Sequence, residues 1–195
     1  MKIIGFSGKK QSGKSTAVHD LIRRIESQKG AVEQLPFAAF LKEIVRRCFN
    51  IDPALFETDA GKNQEFAAGI TIRQLLQYIG TDIFRELDKN AWVNAWRSHV
   101  ADYNKYEWSK NSVILVPDVR FPNEVEAIQA EGGKVIRLSR APFAELDTHE
   151  SEMALDNFVE PGGSVEFDHV IDNTMMSIAE QNEAVWQLVN EQGWI

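Results

Sequence analysis

The sequence predicts an α/β fold with a mostly parallel sheet. Short apolar segments typical of buried strands alternate along the 195 residues with segments whose apolar residues recur at helical spacing. This alternation is typical of β-α-β units, in which the strands run parallel. A glycine-rich loop separates the first predicted strand from the first predicted helix, and the length suits a single domain.

The first predicted elements are a strand, a helix, a second strand and a second helix. Lys2–Ser7 is rich in isoleucine and predicts a buried strand. Apolar residues at helical spacing predict a helix from Lys14 to about Gln28, ending near Gly30. We expect a short strand over Ala31–Phe37 and a helix over Phe40–Phe49.

The middle of the chain, from about residue 52 to residue 106, lacks strand alternation and predicts a helical insertion. Apolar residues recur at spacings of three and four over Thr71–Leu87, and Trp92 and Trp96 continue the pattern after a break. Aromatic residues at this spacing, which include Tyr78 and Phe84, belong more often to a core than to a surface that stacks on a base. We therefore expect core positions for them and keep base stacking as the alternative.

The second half of the chain returns to alternating strands and helices. Ser112–Val119 predicts a buried strand, and a helix with proline in its first turn follows over Phe121–Glu131. Lys134–Ser139 predicts the next strand. His169–Ile171 and Met175–Val189 predict the last strand and the last helix.

The polar segment Arg140–Ser164 contains two prolines and a pair of glycines, which predicts a mobile, lid-like stretch. We expect one domain over residues 1–195. The helical insertion would occupy about 52–106 and the lid-like segment about 140–164.

Composition excludes several classes of protein. The formal net charge of −8 argues against a broad nucleic-acid-binding surface, which needs clustered basic residues. The longest apolar runs are too short to cross a membrane, and the start of the chain lacks the pattern of a secretory signal. Cys48 is the only cysteine, so an intrachain disulfide is impossible. We expect a cytoplasmic protein in which Cys48 is buried in an amphipathic helix.

The loop after the first strand reads GKKQSGKS, which fits the phosphate-binding pattern G-x-x-x-x-G-K-[ST]. Gly8 and Gly13 would let the backbone turn tightly and direct its N–H groups inward, at the positive end of the following helix. Lys14 would contribute a charge to the β- and γ-phosphates. Ser15 would bind Mg²⁺, with Thr16 beside it.

Asp118, near the end of a hydrophobic strand, is the candidate for the second acidic element that holds Mg²⁺ in such proteins. Two classes of function fit: a kinase with a small acceptor, or a nucleotide-driven switch or ATPase. Within the kinase class, the acceptor could also be dephospho-coenzyme A, phosphomevalonate or a sugar acid. Phosphoryl transfer spreads charge over oxygens that arginines stabilise, so the kinase is favoured by arginines at predicted strand ends and in the insertion. These are Arg73, Arg85, Arg120, Arg137 and Arg140.

Six segments together resemble the bacteriophage deoxynucleoside monophosphate kinase family over nearly the whole chain. They read, in order, GFSGKKQSGKST, PFAAFLKEI, RQLLQYIGTDIFRE, PDVRFPNEVEAI, GGKVIRLSR and DTHESE. The first is generic to P-loop proteins, and the second is shared with phosphomevalonate kinases. The combination of the last three is much more specific.

The resemblance implies ATP- and Mg²⁺-dependent phosphoryl transfer to a deoxynucleoside 5′-monophosphate. It also implies a nucleoside-monophosphate-kinase-like fold with a five-stranded parallel sheet flanked by helices, a helical acceptor-binding insertion and a short lid. The partners would be ATP and the monophosphate, without nucleic acid or membrane. We expect a monomer or a homodimer, in the host cytoplasm if the protein is phage-encoded.

The resemblance and the arginine pattern together give a set of expected site residues. The ATP phosphates would be bound by Gly8, Ser12, Gly13, Lys14, Ser15 and Thr16. The metal would be held by Ser15 and Asp118. The catalytic side chains would be Lys14, Arg120 and Arg140. The acceptor would be bound by Arg73, Arg85, Asp147, His149, Ser151 and Glu152. His149 could alternatively serve as a base or as a plain surface residue.

Overall fold

The computed structural model describes residues 1–142, 153–155 and 166–195. The chain divides into two compact units. The first consists of Met1–Pro36 and Arg97–Ile195, and the second of Phe37–Trp96. Each unit has its own cluster of buried apolar side chains.

The secondary structure alternates as the sequence predicts. The strands are β1 (Lys2–Ser7), β2 (Ala31–Gln34), β3 (Glu65–Ala67), β4 (Ile70–Thr71), β5 (Ser112–Val119), β6 (Lys134–Leu138) and β7 (His169–Ile171). The helices are α1 (Lys14–Ser27), α2 (Ala38–Phe49), α3 (Asp59–Lys62), α4 (Ile72–Gln77), α5 (Ala91–Tyr103), α6 (Pro122–Ala130) and α7 (Ile178–Glu191). Shorter 3₁₀ turns cover Pro53–Phe56 and Glu107–Asn111, and a π-helical stretch covers Tyr78–Arg85.

The first unit contains a five-stranded sheet in the order β2-β5-β1-β6-β7, with every neighbouring pair parallel. The predicted α/β class and five-stranded parallel sheet are confirmed. Because β1, β5 and β6 are adjacent and parallel, their carboxyl ends lie at one edge, where open α/β sheets bind ligands. Ser7 pairs in register with Val119 on one side and with Arg137 on the other.

One face of the sheet packs against the helices α1 and α7, and α6 covers the other face by packing against β1 and β6. Helix α1 buries one stripe of residues, at the spacing of three and four that the sequence shows. Helix α7 packs against α1 and buries its own stripe. The fully buried side chains of this core include Ile4, Phe6, Val18, Leu115, Ile136 and Val185.

The second unit is mostly helical, with one departure from the sequence-based expectation. A two-stranded antiparallel hairpin, β3–β4, lies where only helices were expected. Its strands are three and two residues long, too short to show alternation in the sequence. The turn places Ala68 and Gly69 at φ 52° and 77°, a conformation that glycine adopts without strain.

The tryptophans of the second unit are core residues, as expected. Trp96 is completely buried, with its ring centroid 5.1 Å from that of Phe37. Trp92 donates its indole N–H to the Gly80 carbonyl at 2.8 Å and packs against Phe84. Tyr78 differs, because its side chain is exposed at the start of the π-helical stretch.

The expectation of a buried Cys48 is wrong, since this residue is exposed on α2. Val45 is the fully buried residue of this helix, whereas residues 47–50 at its carboxyl end are all exposed, so Cys48 is exposed although it follows Val45 by three residues. In the part of the chain that the structure describes, no helix combines the length and hydropathy needed to cross a bilayer.

The core of the first unit can be tested by truncating one side chain. Ile136→Ala on the interior strand β6 should lower the free energy of unfolding by about 2–5 kcal/mol, because it removes most of a fully buried side chain and leaves a cavity. Val170→Ala on the neighbouring strand β7 is the control. Its side chain is 47% exposed, so the change should stay within about 0.5 kcal/mol. Urea unfolding of both variants measures the difference, and equal losses would contradict the assigned core.

Candidate active site

The loop between β1 and α1 has a backbone that only glycine accommodates at its two ends. Gly8 has φ 148° and Gly13 has φ 101°. A Cβ on residue 8 would lie 2.5 Å from Ser12 Oγ, and a Cβ on residue 13 would lie 2.2 Å from Gln181 Oε1. Both distances are far below van der Waals contact. The glycines of the motif are therefore required by backbone conformation and by close packing.

Lys14 begins α1 and turns its side chain back over the loop. Its ammonium group donates hydrogen bonds to the carbonyl oxygens of Gly8 at 2.6 Å and of Lys9 at 2.7 Å. Desolvation by burial, followed by the positive charges of Arg120 and Arg137, lowers the pKa of Lys14 to about 7. Asp118 opposes this shift with its negative charge. Three cationic side chains and one carboxylate thus act on one another around the loop.

Arg120 and Asp118 are positioned by the end of β5 and the turn into α6. Asp118 is the second-last residue of the strand, and Arg120 directly follows it. The carboxylate of Glu124, completely buried in the first turn of α6, accepts the backbone N–H groups of Arg120 at 2.7 Å and of Phe121 at 3.1 Å. These bonds fix the turn, so Glu124 is a structural residue of the site.

Arg137 belongs to this site although it is absent from the expected site residues. It lies on β6 beside Ser7, the last residue of β1, and its guanidinium donates to Ser7 Oγ at 3.0 Å. The same guanidinium lies 5.4 Å from the centroid of the Phe167 ring. The sequence feature that could have identified Arg137 as a site residue is its place near the end of the strand predicted to follow the strand of Asp118.

The residues expected to hold a metal provide oxygen ligands. Ser15 and Thr16 are exposed in the first turn of α1, and Asp118 carries the carboxylate. No group of three His, Cys, Asp or Glu residues that could hold a metal occurs within the described ranges. A hydroxyl and one carboxylate fit Mg²⁺ shared with phosphate oxygens and water, because Mg²⁺ keeps several such ligands and takes few from the protein.

Arg140, expected to be catalytic, lies just beyond β6 in contact with backbone carbonyls. Its Nε and one Nη donate to the Asn173 carbonyl oxygen at 3.1 and 2.6 Å, and the same Nη contacts the Met176 carbonyl. The structure therefore places Arg140 against the chain that precedes α7. The expected acceptor residues Asp147, His149, Ser151 and Glu152 lie outside the described residues, as does most of the lid-like segment.

Arg73 and Arg85, also expected to bind the acceptor, lie in the second unit. Arg73 forms an ion pair with Asp59 at 2.6 Å, and Arg85 donates to the Lys89 carbonyl at 3.1 Å. Near Arg73, burial and then the charges of Lys42 and Arg73 lower the pKa of Lys62. The structure thus adds two lysines to the positive charge around Arg73, which sequence reasoning missed.

Comparisons with known proteins agree on one family. A family model described as deoxynucleotide monophosphate kinase matches residues 54–178. A protein of Acanthamoeba polyphaga mimivirus, provisionally named a deoxynucleotide monophosphate kinase, is 34% identical over an alignment of 166 residues that covers 80% of this chain and 82% of that protein. The deoxynucleotide monophosphate kinase of Enterobacteria phage T4 is 34% identical over 86 residues, 44% of this chain and 34% of the phage protein.

A solved structure of dephospho-CoA kinase from Campylobacter jejuni is a weaker match. It is 14% identical, with a TM-score of 0.49, and the match covers 97% of this chain and 96% of that one. A similarity at this level carries no argument about substrate.

The depressed pKa of Lys14 predicts that the protein takes up a proton if the loop binds a polyphosphate. At pH 8.5 a lysine with a pKa of about 7 is mostly neutral, and a bound triphosphate would raise that pKa towards its ordinary value. Binding of ATP with Mg²⁺ should therefore take up about one proton per protein molecule. Calorimetric titrations in two buffers with different ionisation enthalpies measure this number.

The control for proton uptake is Lys14→Arg, whose guanidinium stays charged at every accessible pH. This variant should bind without measurable uptake at pH 8.5. A wild-type value near zero would show that Lys14 is already charged in the free protein.

Proposed function

The chain belongs to the deoxynucleotide monophosphate kinase family, and we propose that it transfers the γ-phosphoryl group of ATP, with Mg²⁺, to a deoxynucleoside 5′-monophosphate. Family membership makes it a phosphotransferase that acts on nucleotides. The products would be the deoxynucleoside diphosphate and ADP. The observation that carries the proposal is the convergence of Lys14, Arg120 and Arg137 on a glycine-rich loop, with Asp118 beside them.

The ATP phosphates would lie in the loop. There the backbone N–H groups in the first turn of α1, and the positive end of its helix dipole, would point towards them. Lys14 would exchange two carbonyl oxygens for anionic phosphate oxygens and regain its full charge. Arg120 and Arg137 would stabilise the charge that develops on the transferring group, as arginines do in phosphoryl transfer. Ser15 and Asp118 would hold Mg²⁺, which supplies further neutralisation of the phosphate oxygens when bound.

The acceptor needs little activation in such a reaction. The second pKa of a phosphate monoester is about 6, so its attacking oxygen is already ionised at neutral pH. Catalysis can then rest on positioning and on electrostatic stabilisation, without a general base. For acceptor binding we propose the residues Arg73, Arg85, Asp147, His149, Ser151 and Glu152. Three cations, Arg73, Lys62 and Lys42, lie there near two carboxylates, Asp59 and Glu57, and this excess of one positive charge supports the assignment.

A phosphoryl-transfer panel tests the function. With ATP and Mg²⁺, ADP should form rapidly only when a suitable deoxynucleoside monophosphate is present, and the matching diphosphate should appear in equal amount. The panel includes all ribo- and deoxyribonucleoside monophosphates, together with phosphomevalonate and dephospho-coenzyme A. ATP hydrolysis without any acceptor, or transfer only to a non-nucleotide acceptor, would refute the proposal.

Within this panel, Lys14→Ala should abolish transfer while leaving the fold intact. Its side chain bonds only loop carbonyls and Ser12 in the described contacts, so its removal leaves the hydrophobic core unchanged. Product formation and circular dichroism are measured on the same sample. Near-normal turnover in this variant would contradict phosphate binding by the loop.

Arg120→Lys tests whether this side chain binds phosphate through its planar guanidinium. Lysine keeps the charge and loses the fork that contacts two oxygens at once, so kcat/KM should fall about tenfold or more, each factor of ten being ~1.4 kcal/mol. The matched control is Arg97→Lys, a half-exposed arginine 3.8 Å from Glu131. That pair is worth under about 1 kcal/mol, so the control should keep its rate. Wild-type kinetics in Arg120→Lys would make Arg120 structural.

A further inference from the structure

Two buried side-chain amides hold the outer side of the phosphate-binding loop. Asn173 Nδ2 donates to the Ser12 carbonyl oxygen at 2.7 Å, and Gln181 Nε2 donates to the Gly13 carbonyl oxygen at 3.1 Å. The two side chains are 0% and 1% exposed, which is unusual for amides and requires that their polar atoms be paired. Neither residue is part of the glycine-rich motif or of the expected site.

The orientation of the Asn173 amide is determined by its partners. Its Nδ2 also donates to Gln181 Oε1 at 2.6 Å, and its Oδ1 accepts the backbone N–H of Arg140 at 2.8 Å. If the amide were flipped, its oxygen would face the oxygens of Ser12 and Gln181, and its NH₂ group would face the Arg140 N–H. All three hydrogen bonds would then be lost. Asn173 therefore orients Gln181, and both amides present N–H groups to the loop.

The backbone of Asn173 is held as firmly as its side chain. The guanidinium of Arg140 donates two hydrogen bonds to the Asn173 carbonyl oxygen and contacts the Met176 carbonyl. Helix α7 starts directly afterwards, with a reciprocal cap in which Ser177 Oγ accepts the Glu180 N–H and Glu180 accepts the Ser177 N–H. Gln181 thus projects from the first turns of a capped helix.

The geometry of the peptide bond links these contacts to phosphate binding. In a trans peptide unit the C=O and N–H groups point in opposite directions. Holding the carbonyl oxygens of Ser12 and Gly13 on the protein side directs the N–H groups of Gly13 and Lys14 to the other side. Because Gly13 C=O also accepts the Ala17 N–H at 3.0 Å, this second peptide unit is held from two directions. Loop N–H groups turned to one side form the concavity that binds phosphate.

We infer that Asn173 and Gln181 are positioning residues that set the loop for the ATP phosphates. This inference rests on the proposed function, since it assigns the amides to the donor nucleotide and not to the acceptor. The close packing of Gln181 on Gly13, where a Cβ would lie 2.2 Å from Oε1, leaves the loop little freedom on that side. A ligand should therefore meet N–H groups that are already oriented, and loss of an amide should weaken ATP binding selectively.

The experiment compares Gln181→Met with Gln187→Met, a control on the exposed face of the same helix, where Gln187 bonds Glu183 at 3.2 Å. Methionine keeps the length of the side chain and removes both polar atoms. In Gln181→Met the Kd and KM for ATP with Mg²⁺ should rise tenfold or more, while the KM for the monophosphate stays within twofold of wild type. Gln187→Met should match wild type in all three.

A second variant removes the donor while keeping the acceptor that Asn173 needs. Gln181→Glu should bind ATP weakly at pH 8, because a carboxylate cannot donate to the Gly13 carbonyl. Its affinity relative to wild type should recover as the pH is lowered towards 5.5, because a protonated carboxyl can donate again. Because protonation also removes a buried charge that would destabilise the fold, the free energy of unfolding of this variant is measured at both pH values. Weak ATP binding by a variant that is fully folded at pH 8 supports the positioning role, and a loss of affinity that only follows partial unfolding contradicts it.

Three outcomes are distinguished. If wild type binds no ATP and transfers no phosphoryl group, the proposed function fails and this inference fails with it. If wild type transfers normally and both Gln181 variants bind ATP within twofold of wild type, the positioning role alone is refuted. Equal weakening of ATP and of the monophosphate would likewise refute it, since the amides would then support the fold in general.

Discussion

Burial of the Lys14 ammonium group beside two other cations is the constraint on which this site depends. Desolvation by burial, followed by the positive charges of Arg120 and Arg137, depresses the pKa of Lys14, and Asp118 offsets these effects only in part. The folded chain therefore holds its cations in an arrangement that costs free energy. That cost is present in full below pH 7, where Lys14 is charged in both states. It diminishes as the pH rises from about 7 towards the ordinary lysine value, because the unfolded chain then binds more protons. A polyphosphate would relieve the same cost by supplying negative charge.

The parallel sheet is what keeps these charges together. Lys14 follows β1, Arg120 follows β5 and Arg137 lies on β6, three strands that are neighbours in the order β5-β1-β6. Their apolar residues are buried against α1 and α7 on one face of the sheet and against α6 on the other, so the free energy of the hydrophobic core holds the cations in place. Glu124 contributes locally by binding the N–H groups of Arg120 and Phe121. The site is thus assembled by long-range strand pairing, with local hydrogen bonds that fix each turn.

The sequence predicted this sheet well because its strands are apolar runs with clear ends. The bounds of β1, β5 and β7 are those expected, and the glycine-rich loop was recognised from its own pattern. The hairpin β3–β4 was missed because strands of two or three residues have no readable period. The amides of Asn173 and Gln181 left no signal, because they meet Ser12 and Gly13 across more than 160 residues of chain. Long-range polar contacts of this kind have no periodicity or motif from which they could be inferred.

The start of the last helix shows why such contacts matter to the motif itself. The apolar pattern predicted a helix from Met175, whereas α7 begins at Ile178 behind the cap formed by Ser177 and Glu180. The residues before the cap stay out of the helix, where Arg140 holds the carbonyls of Asn173 and Met176. Only as part of this non-helical turn does Asn173 reach Ser12, while Gln181 reaches Gly13 from the helix. The second glycine of the glycine-rich loop is therefore constrained by a residue from the opposite end of the chain, which projects from the capped start of α7.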